Sequence, residues 1–249
     1  MSRSTMPADK LAAPRALAAR NAGRSARWCP GLDGSGNSSC HHEIFASACE
    51  ASGAAVALAL ALDRWHHRPC TKASEGEDRR AVLWVQTREA ARLTGRPYGA
   101  GLPAELRHRL VHVLARRPED ALFALEEGVR CRDIAFVLGE IGGNPRALDF
   151  TASRRLTLAA QRHGVPLYLV RLDAARDLSS ARLRWQVASA VSAAPRWNGQ
   201  APGAPAWHAE LFRARVHPPG EWLLRDEGRG LVAERLTDAP DISPHAISA

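Results

Sequence analysis

Residues 42–62 read HEIFASACEASGAAVALALAL, a short apolar strand, a loop of small residues and an apolar helix in direct succession. A strand, a loop and a helix start form the frame of a phosphate-binding P-loop. Such a loop cradles phosphates with backbone N–H groups, neutralises them with a lysine and holds Mg²⁺ with a hydroxyl. Here the helix start reads Ser52-Gly53-Ala54-Ala55, so the frame is present and the phosphate-binding side chains are missing.

The small residues at the helix start have two interpretations. The favoured one is helix packing, because small side chains let a helix lie close to a strand. The other is residual nucleotide binding. We therefore describe Ser52, Gly53, Ala54 and Ala55 as a degenerate nucleotide loop that is not expected to bind nucleotide, and we expect no catalytic residue and no cofactor.

The composition is that of a soluble globular protein. A chain of 249 residues is long enough for one α/β domain with a tail at each end, and its 45% hydrophobic and 24% charged residues are ordinary values. No apolar run is long enough to span a bilayer, and we expect no signal peptide and no membrane partner. Five cysteines without Cys-x-x-Cys spacing favour a reducing cytoplasm over a disulfide framework.

The net charge of +8 has two explanations. A strongly basic protein often binds a polyanion, and nucleic acid is the usual one. However, Lys10 and Lys72 are the only lysines, so nearly all the positive charge is arginine beside abundant alanine. A GC-rich genome produces that composition without any role in DNA contact.

The pattern along the chain predicts three segments. Residues 1–40 form a basic, flexible N-terminal arm and linker, residues 41–236 form an α/β domain, and residues 237–249 form a disordered tail. Within the domain, continuous apolar runs such as Ile134–Leu138 are typical of buried parallel strands. After residue 180 the strands alternate polar and apolar residues, as in Arg182–Val187, which predicts antiparallel strands with one solvated face.

Parallel strands followed by an antiparallel meander resemble the RecA core. Within that fold class, the chain resembles the SOS-inducible mutagenesis protein A (ImuA) family, a degenerate relative of RecA, over about residues 41–235. The strongest matching block is Leu148–Leu156. The other matching segments are, in chain order, His42–Phe45, Val82–Gln86, Gly95–Gly99, Ala124–Gly128 with Arg130-Cys131, and Val137–Glu140.

The resemblance implies a RecA-like domain with a non-catalytic accessory role in SOS-induced, error-prone translesion DNA synthesis. It implies docking on ImuB, an inactive Y-family-like polymerase, and work with an error-prone C-family polymerase and with RecA. Two alternatives stay open. One is a RecA-superfamily ATPase with a degenerate loop, and the other is a SulA-like SOS inhibitor of cell division.

The resemblance also allows the ATP-site positions to be compared. A RecA-type ATPase needs a phosphate-binding lysine, and that position falls on Ala54 or, without a gap, on Ser52. It also needs an aspartate at a strand end to hold Mg²⁺. That position falls on Leu138 or Gly139, and Glu140 comes one residue late.

The third ATPase position is a glutamate after the second strand that activates water. It falls on Thr87 or Arg88, with Glu89 close by. Without the lysine and the aspartate, nothing offsets the triphosphate charge or holds the metal. The loss of all three groups together predicts that the protein is not an enzyme.

RecA holds single-stranded DNA on two loops, and both are short here, at about residues 140–148 and 173–180. Phosphate contacts need charge rather than long loops, so arginines near these loops are candidate DNA or partner contacts. The alternative, slightly favoured, is that they are solvated or form ion pairs. The candidates are Arg154, Arg155, Arg176, Arg182 and Arg184.

A second candidate contact is the turn Gly95–Gly99, with Arg96 and Tyr98, which is predicted to lie near the strand ends. A metal site is not expected. Cys40-His41-His42 and His66-His67 with Cys70 have no spacing that fits a known zinc motif.

Overall fold

The computed structural model describes residues 41–67, 78–215, 218–228 and 230–236. The predicted arm (1–40) and tail (237–249) lie outside the described residues. The described residues form one sheet of nine strands and four α-helices. The strands are β1 His41–Ala46, β2 Ala81–Thr87, β3 Leu110–Ala115, β4 Ile134–Gly142, β5 Leu167–Leu172, β6 Leu183–Ser189, β7 Ala206–Ala214, β8 Gly220–Asp226 and β9 Leu231–Leu236.

The sheet has the strand order β3-β2-β4-β5-β1-β6-β7-β8-β9. Every pair from β3 across to β6 is parallel, and the pairs from β6 to β9 are antiparallel. The predicted fold class is therefore confirmed: a mainly parallel α/β sheet with a C-terminal antiparallel extension. Placing β1 between β5 and β6 brings the start of the domain into contact with its last third.

Helices flank the sheet on both faces. The α-helices are α1 Ser52–His66, α2 Arg88–Thr94, α3 Pro118–Arg130 and α4 Phe150–His163, with a short 3-10 helix at Gly99–Gly101. One buried apolar cluster packs residues of α1 and α2 against the sheet, and a second packs α3 and α4 against its other face. Because side chains alternate along a strand, β1 contributes Ile44 to the first face and Glu43 to the second.

Local sequence explains the ends of two helices. Pro118 opens α3, since its fixed φ and missing N–H suit the first helical position. The Asp149 carboxylate accepts a hydrogen bond from the Ala152 N–H at 2.7 Å and so caps α4. Gly164 ends that helix in the left-handed region, at φ 70°.

Three features of the fold depart from the sequence prediction. β4 continues to Gly142, so the predicted loop 140–148 is in fact residues 143–149. The helix α2 and the edge strand β9 were not predicted, because neither shows a clear apolar period. Ala90 is the only buried residue of α2, and β9 buries only Leu231. None of the helices in the described ranges is long and apolar enough to cross a membrane.

Candidate functional site

The loop after β1 is the one that the sequence predicts to be a degenerate nucleotide loop, and two of its amide groups are bound by protein acceptors. The Ala48 N–H donates to Oδ1 of Asp173 at 3.0 Å, and the Cys49 N–H donates to the Ser47 hydroxyl at 3.1 Å. Asp173 lies at φ 48°, in a region that non-glycine residues rarely adopt. A protein carboxylate therefore receives an N–H that a working loop would turn toward phosphate.

Gly53 lets the start of α1 approach the sheet closely. A Cβ at this position would lie 2.8 Å from Cβ of Ala46 and 2.8 Å from Cγ1 of Val170. Ser52 is buried, and Ala54 and Ala55 pack against the same core. The small residues therefore have a packing role, as the favoured interpretation of this segment requires.

The strand-end carboxylate Glu140 is enclosed within the fold, with 1% of its surface exposed. It accepts hydrogen bonds from Trp84 Nε1 at 2.6 Å, Gln86 Nε2 at 3.1 Å and Thr94 Oγ1 at 3.0 Å. Burial raises the pKa of its carboxyl above the ordinary value, and the three hydrogen bonds act in the opposite direction. Glu140 thus joins β4 to β2 and α2.

The other residues that the resemblance places at ATP-site positions also have structural roles. Leu138 is buried in the core on the α1 side of the sheet. Gly139 faces the other helix layer, where an added Cβ would lie 2.9 Å from Cδ2 of Leu125. Thr87 caps α2 by accepting the Ala90 N–H at 3.2 Å.

The five candidate arginines do not form one basic face. Arg184 is buried, and its Nε lies 2.7 Å from Oε2 of Glu43. Arg155 forms an ion pair with Glu126.

The Nη2 of Arg176 lies 2.6 Å from Oε2 of Glu210, and its guanidinium stacks 4.0 Å from the Phe212 ring centroid. Three of the five arginines are therefore already paired with carboxylates.

The other two candidates, Arg154 and Arg182, line one open pocket of about 540 Å³. Arg213 and Arg215 also line it and were not among the predicted candidates, because they reach Arg184 and Arg182 only in the folded sheet. We call these four residues and their surroundings the arginine pocket. Its remaining lining residues are Phe150, Thr157, Leu158, Gln161, Ser179, Ser180, Ala181 and Ala214.

A hydroxyl network forms the floor of the arginine pocket. Thr157 Oγ1 shares a 2.7 Å hydrogen bond with Nδ1 of the buried His41 and accepts from the Ser180 hydroxyl at 2.6 Å. The Ser179 hydroxyl donates to Oε1 of Glu43 at 2.6 Å. Burial lowers the pKa of His41 to about 4, so its imidazole is neutral at pH 7.

The two short loops predicted from the RecA pattern contact each other. Asn144, in the first loop, donates through Nδ2 to the Asp177 carboxylate at 2.7 Å. Its Oδ1 accepts the Ala175 N–H at 2.7 Å. The second loop runs from residue 173 to residue 182, and β6 begins at Leu183. Asn144 thus ties the loop after β4 to the loop after β5.

The turn at Gly95–Gly99 presents Tyr98 to solvent, with 75% of its surface exposed. Gln86 Nε2 holds the turn through the Gly95 carbonyl at 2.8 Å. Arg96 lines a smaller pocket of about 250 Å³ together with Arg88 and Arg92. The turn therefore remains a candidate partner contact.

The histidine and cysteine motifs are separated by the fold. His41 bonds to Thr157, whereas the next residue, His42, packs its ring at a tilt against Tyr168 on the other face of β1, with 4.7 Å between centroids. Cys40 and Cys70 lie outside the described residues. Among the residues that the structure describes, no group of three His, Cys, Asp or Glu side chains is placed to hold a metal ion.

The fold is a mainly parallel α/β domain with a close-packed helix start after β1 and an arginine-lined pocket. No protein-family model and no curated protein matches the chain. Solved structures that match include SulA from Pseudomonas aeruginosa, which is 23% identical over 40% of this chain and 76% of that chain, with a TM-score of 0.27. A TM-score that low supports no argument about function.

Proposed function

We propose that this protein is a non-catalytic adaptor in SOS-induced, error-prone translesion DNA synthesis. In this proposal it works in the cytoplasm and docks on an ImuB-like protein, with RecA and an error-prone C-family polymerase as further partners. The role comes from the resemblance to the SOS-inducible mutagenesis protein A family. The geometry of the loop after β1 supports the other half of the proposal, that the protein is not an enzyme.

The proposal that the protein is not an enzyme rests mainly on the contacts made by the loop after β1 and by the start of α1. The Ala48 N–H is bound to the Asp173 carboxylate, and a negative charge at that point opposes a triphosphate. Gly53 brings the helix start against Val170, and no lysine lies nearby in the loop. The enclosure of Glu140 supports the same proposal, because its carboxylate already accepts hydrogen bonds from Trp84, Gln86 and Thr94.

The matching blocks support the adaptor role through their positions in the fold. The strongest block, Leu148–Leu156, supplies the cap of α4, the core residue Leu156, and both Phe150 and Arg154 of the arginine pocket. Another block, Gly95–Gly99, forms the exposed turn with Tyr98. Residues that carry the resemblance therefore lie on two exposed surfaces, which supports the proposed adaptor role.

Two measurements test the proposal. Calorimetric titration with Mg-ATP, with and without single-stranded DNA, should give no binding heat up to millimolar nucleotide, with RecA as the positive control. Co-purification should recover the protein with the ImuB-like protein encoded in the same genome. Tight ATP binding would instead support the RecA-superfamily ATPase. Binding to the cell-division GTPase, without the ImuB-like protein, would support the SulA-like inhibitor.

A further inference from the structure

We propose that the arginine pocket is the docking site for a short acidic segment of a partner protein, one that carries an apolar side chain beside its carboxylates. This inference rests on the proposed adaptor function and deepens it by naming the chemistry of one docked segment. It is drawn from the charge, the exposed apolar surface and the rigid floor of the pocket.

The pocket concentrates the positive charge of four arginines. Among its described lining residues, none is an aspartate or a glutamate. Within the described ranges, the side chains of Arg154, Arg213 and Arg215 form no ion pair, and all three are exposed. Guanidinium groups bind carboxylates in a two-point geometry, so an acidic segment complements this surface.

The same pocket exposes apolar side chains beside the charge. Phe150 and Leu158 are 46% and 54% exposed, and both lie on α4 with Arg154 between them. Residues four apart share one face of a helix, so the three side chains form a stripe of apolar, basic and apolar surface. An incoming segment needs an apolar side chain as well as carboxylates to cover that stripe.

Hydrogen bonds within the protein already order the side chains at the floor of the pocket before any partner binds. Thr157 is hydrogen-bonded to His41 and Ser180. With its amide oriented to accept, the Gln161 oxygen lies 2.8 Å from Nε and 2.7 Å from Nη2 of Arg182. Because these groups are already ordered, docking loses less conformational entropy than it would on a mobile surface.

The confinement of the charge favours a peptide over a nucleic acid strand. A strand carries a phosphate at every nucleotide and is normally held along an extended basic groove. Beside the pocket, however, Arg176 is paired with Glu210 and Arg184 with Glu43. The Asp177 side chain is 37% exposed in the adjoining loop. On this side of the pocket the positive surface therefore ends.

The test is fluorescence anisotropy with the full chain and a labelled peptide of alternating acidic residues and leucines. The wild-type protein should bind the peptide, and Arg154→Ala and Arg213→Ala should each weaken binding about tenfold or more, the usual effect of losing a charged hydrogen bond. Arg196→Ala is the matched control. It removes the same charge from the exposed β6–β7 loop, outside the pocket, and should change affinity less than about twofold.

A double-mutant cycle tests the apolar part of the proposal. Replacing the peptide leucines by serine should weaken binding to the wild-type protein, and much less so to Leu158→Ser, because the contact is already lost there. Additive effects would overturn the apolar contact. Absence of peptide binding, or equal loss in Arg154→Ala and Arg196→Ala, would overturn the proposal.

Two further outcomes separate the possible failures. If oligothymidylate binds more tightly than the peptide and loses affinity in the same pocket variants, the site is for nucleic acid and the peptide proposal is wrong. If the peptide fails to bind while the ImuB-like protein still co-purifies, only this inference fails. If the peptide binds as expected while co-purification fails, the proposed function fails and the pocket stands.

Discussion

The guanidinium of Arg184 and the carboxylate of Glu43 form a buried ion pair, with 2.7 Å between Nε and Oε2. The two side chains are 3% and 0% exposed, and they join the neighbouring parallel strands β1 and β6. Glu43 also accepts from the Ser179 hydroxyl, and Arg171 Nη1 lies 3.9 Å from its Oε1. The pair therefore holds the loop 173–182 against the sheet.

Glu43→Ala should destabilise the protein by about 3–5 kcal/mol, because it leaves the buried charge of Arg184 without its nearest carboxylate and that of Arg171 with Asp177 alone. Urea unfolding monitored by tryptophan fluorescence measures this loss. Glu210→Ala is the matched control, since the Arg176–Glu210 pair is partly exposed and should contribute less than about 1 kcal/mol. Equal midpoints for both variants would contradict the structural role of the buried pair.

Gly53→Ala should destabilise the fold by about 1–3 kcal/mol, because the new methyl group would meet Ala46 and Val170 at 2.8 Å. Gly99→Ala is the comparison, since an added Cβ there has no atom within 4 Å, and it should stay within about 0.5 kcal/mol of wild type. Thermal unfolding of both variants measures the difference. A Gly53→Ala protein as stable as wild type would show that helix packing does not require this glycine.

The buried His41 should make stability fall as the pH drops from 6.5 to about 4. Burial lowers its folded-state pKa to about 4 from the ordinary 6.5, so in this range the unfolded chain binds a proton that the folded protein does not. This pKa difference lowers the free energy of unfolding by about 3 kcal/mol across that pH range. Urea unfolding at a series of pH values should show that slope.

The His41→Gln variant should lack this contribution and show a flatter profile between the same pH limits. His108→Gln, which changes an exposed histidine, serves as the control and should keep the wild-type slope. An unchanged slope in His41→Gln would mean that other groups cause the pH dependence.

Asn144→Ala should loosen the contact between the loop after β4 and the loop after β5. The Ala175 N–H loses its acceptor, the Asn144 Oδ1 at 2.7 Å, and its hydrogen exchange should become faster. Exchange measured by NMR or by mass spectrometry of a peptide covering 173–182 detects the change. Asn198→Ala, in the β6–β7 loop, should leave Ala175 protected as in wild type. Slow exchange of Ala175 in Asn144→Ala would show that the loops are held by other contacts.

Much of the fold could be predicted because its signals are local. Pro118 and Asp149 mark helix starts through the conformation and hydrogen bonds of their own turns. Apolar runs such as that in β4 identify buried strands. The edge strand β9 lacked such a signal, since its residues Glu234 and Arg235 are exposed on an edge that packs little.

The candidate site was less predictable, because whether an arginine is paired or exposed depends on residues that are distant in the sequence. Nothing near Arg184 in the sequence indicates that Glu43 lies beside it, and Arg176 meets Glu210 only when β6 and β7 pair. The arginines that do line the pocket, such as Arg213, were not distinguished from the other basic residues of the chain.

The sequence by itself determined most of the strands and helices, except α2 and β9, and the absence of a lysine from the loop after β1, because periodicity, turn chemistry and residue identity need no distant contact. Only the tertiary structure decided which charges are neutralised. A buried carboxylate such as Glu43 must have a cationic partner, and the choice of Arg184 as that partner follows from β1 and β6 being neighbours. In the sheet with this strand order, Arg154 and Arg213 stay exposed and line the same pocket.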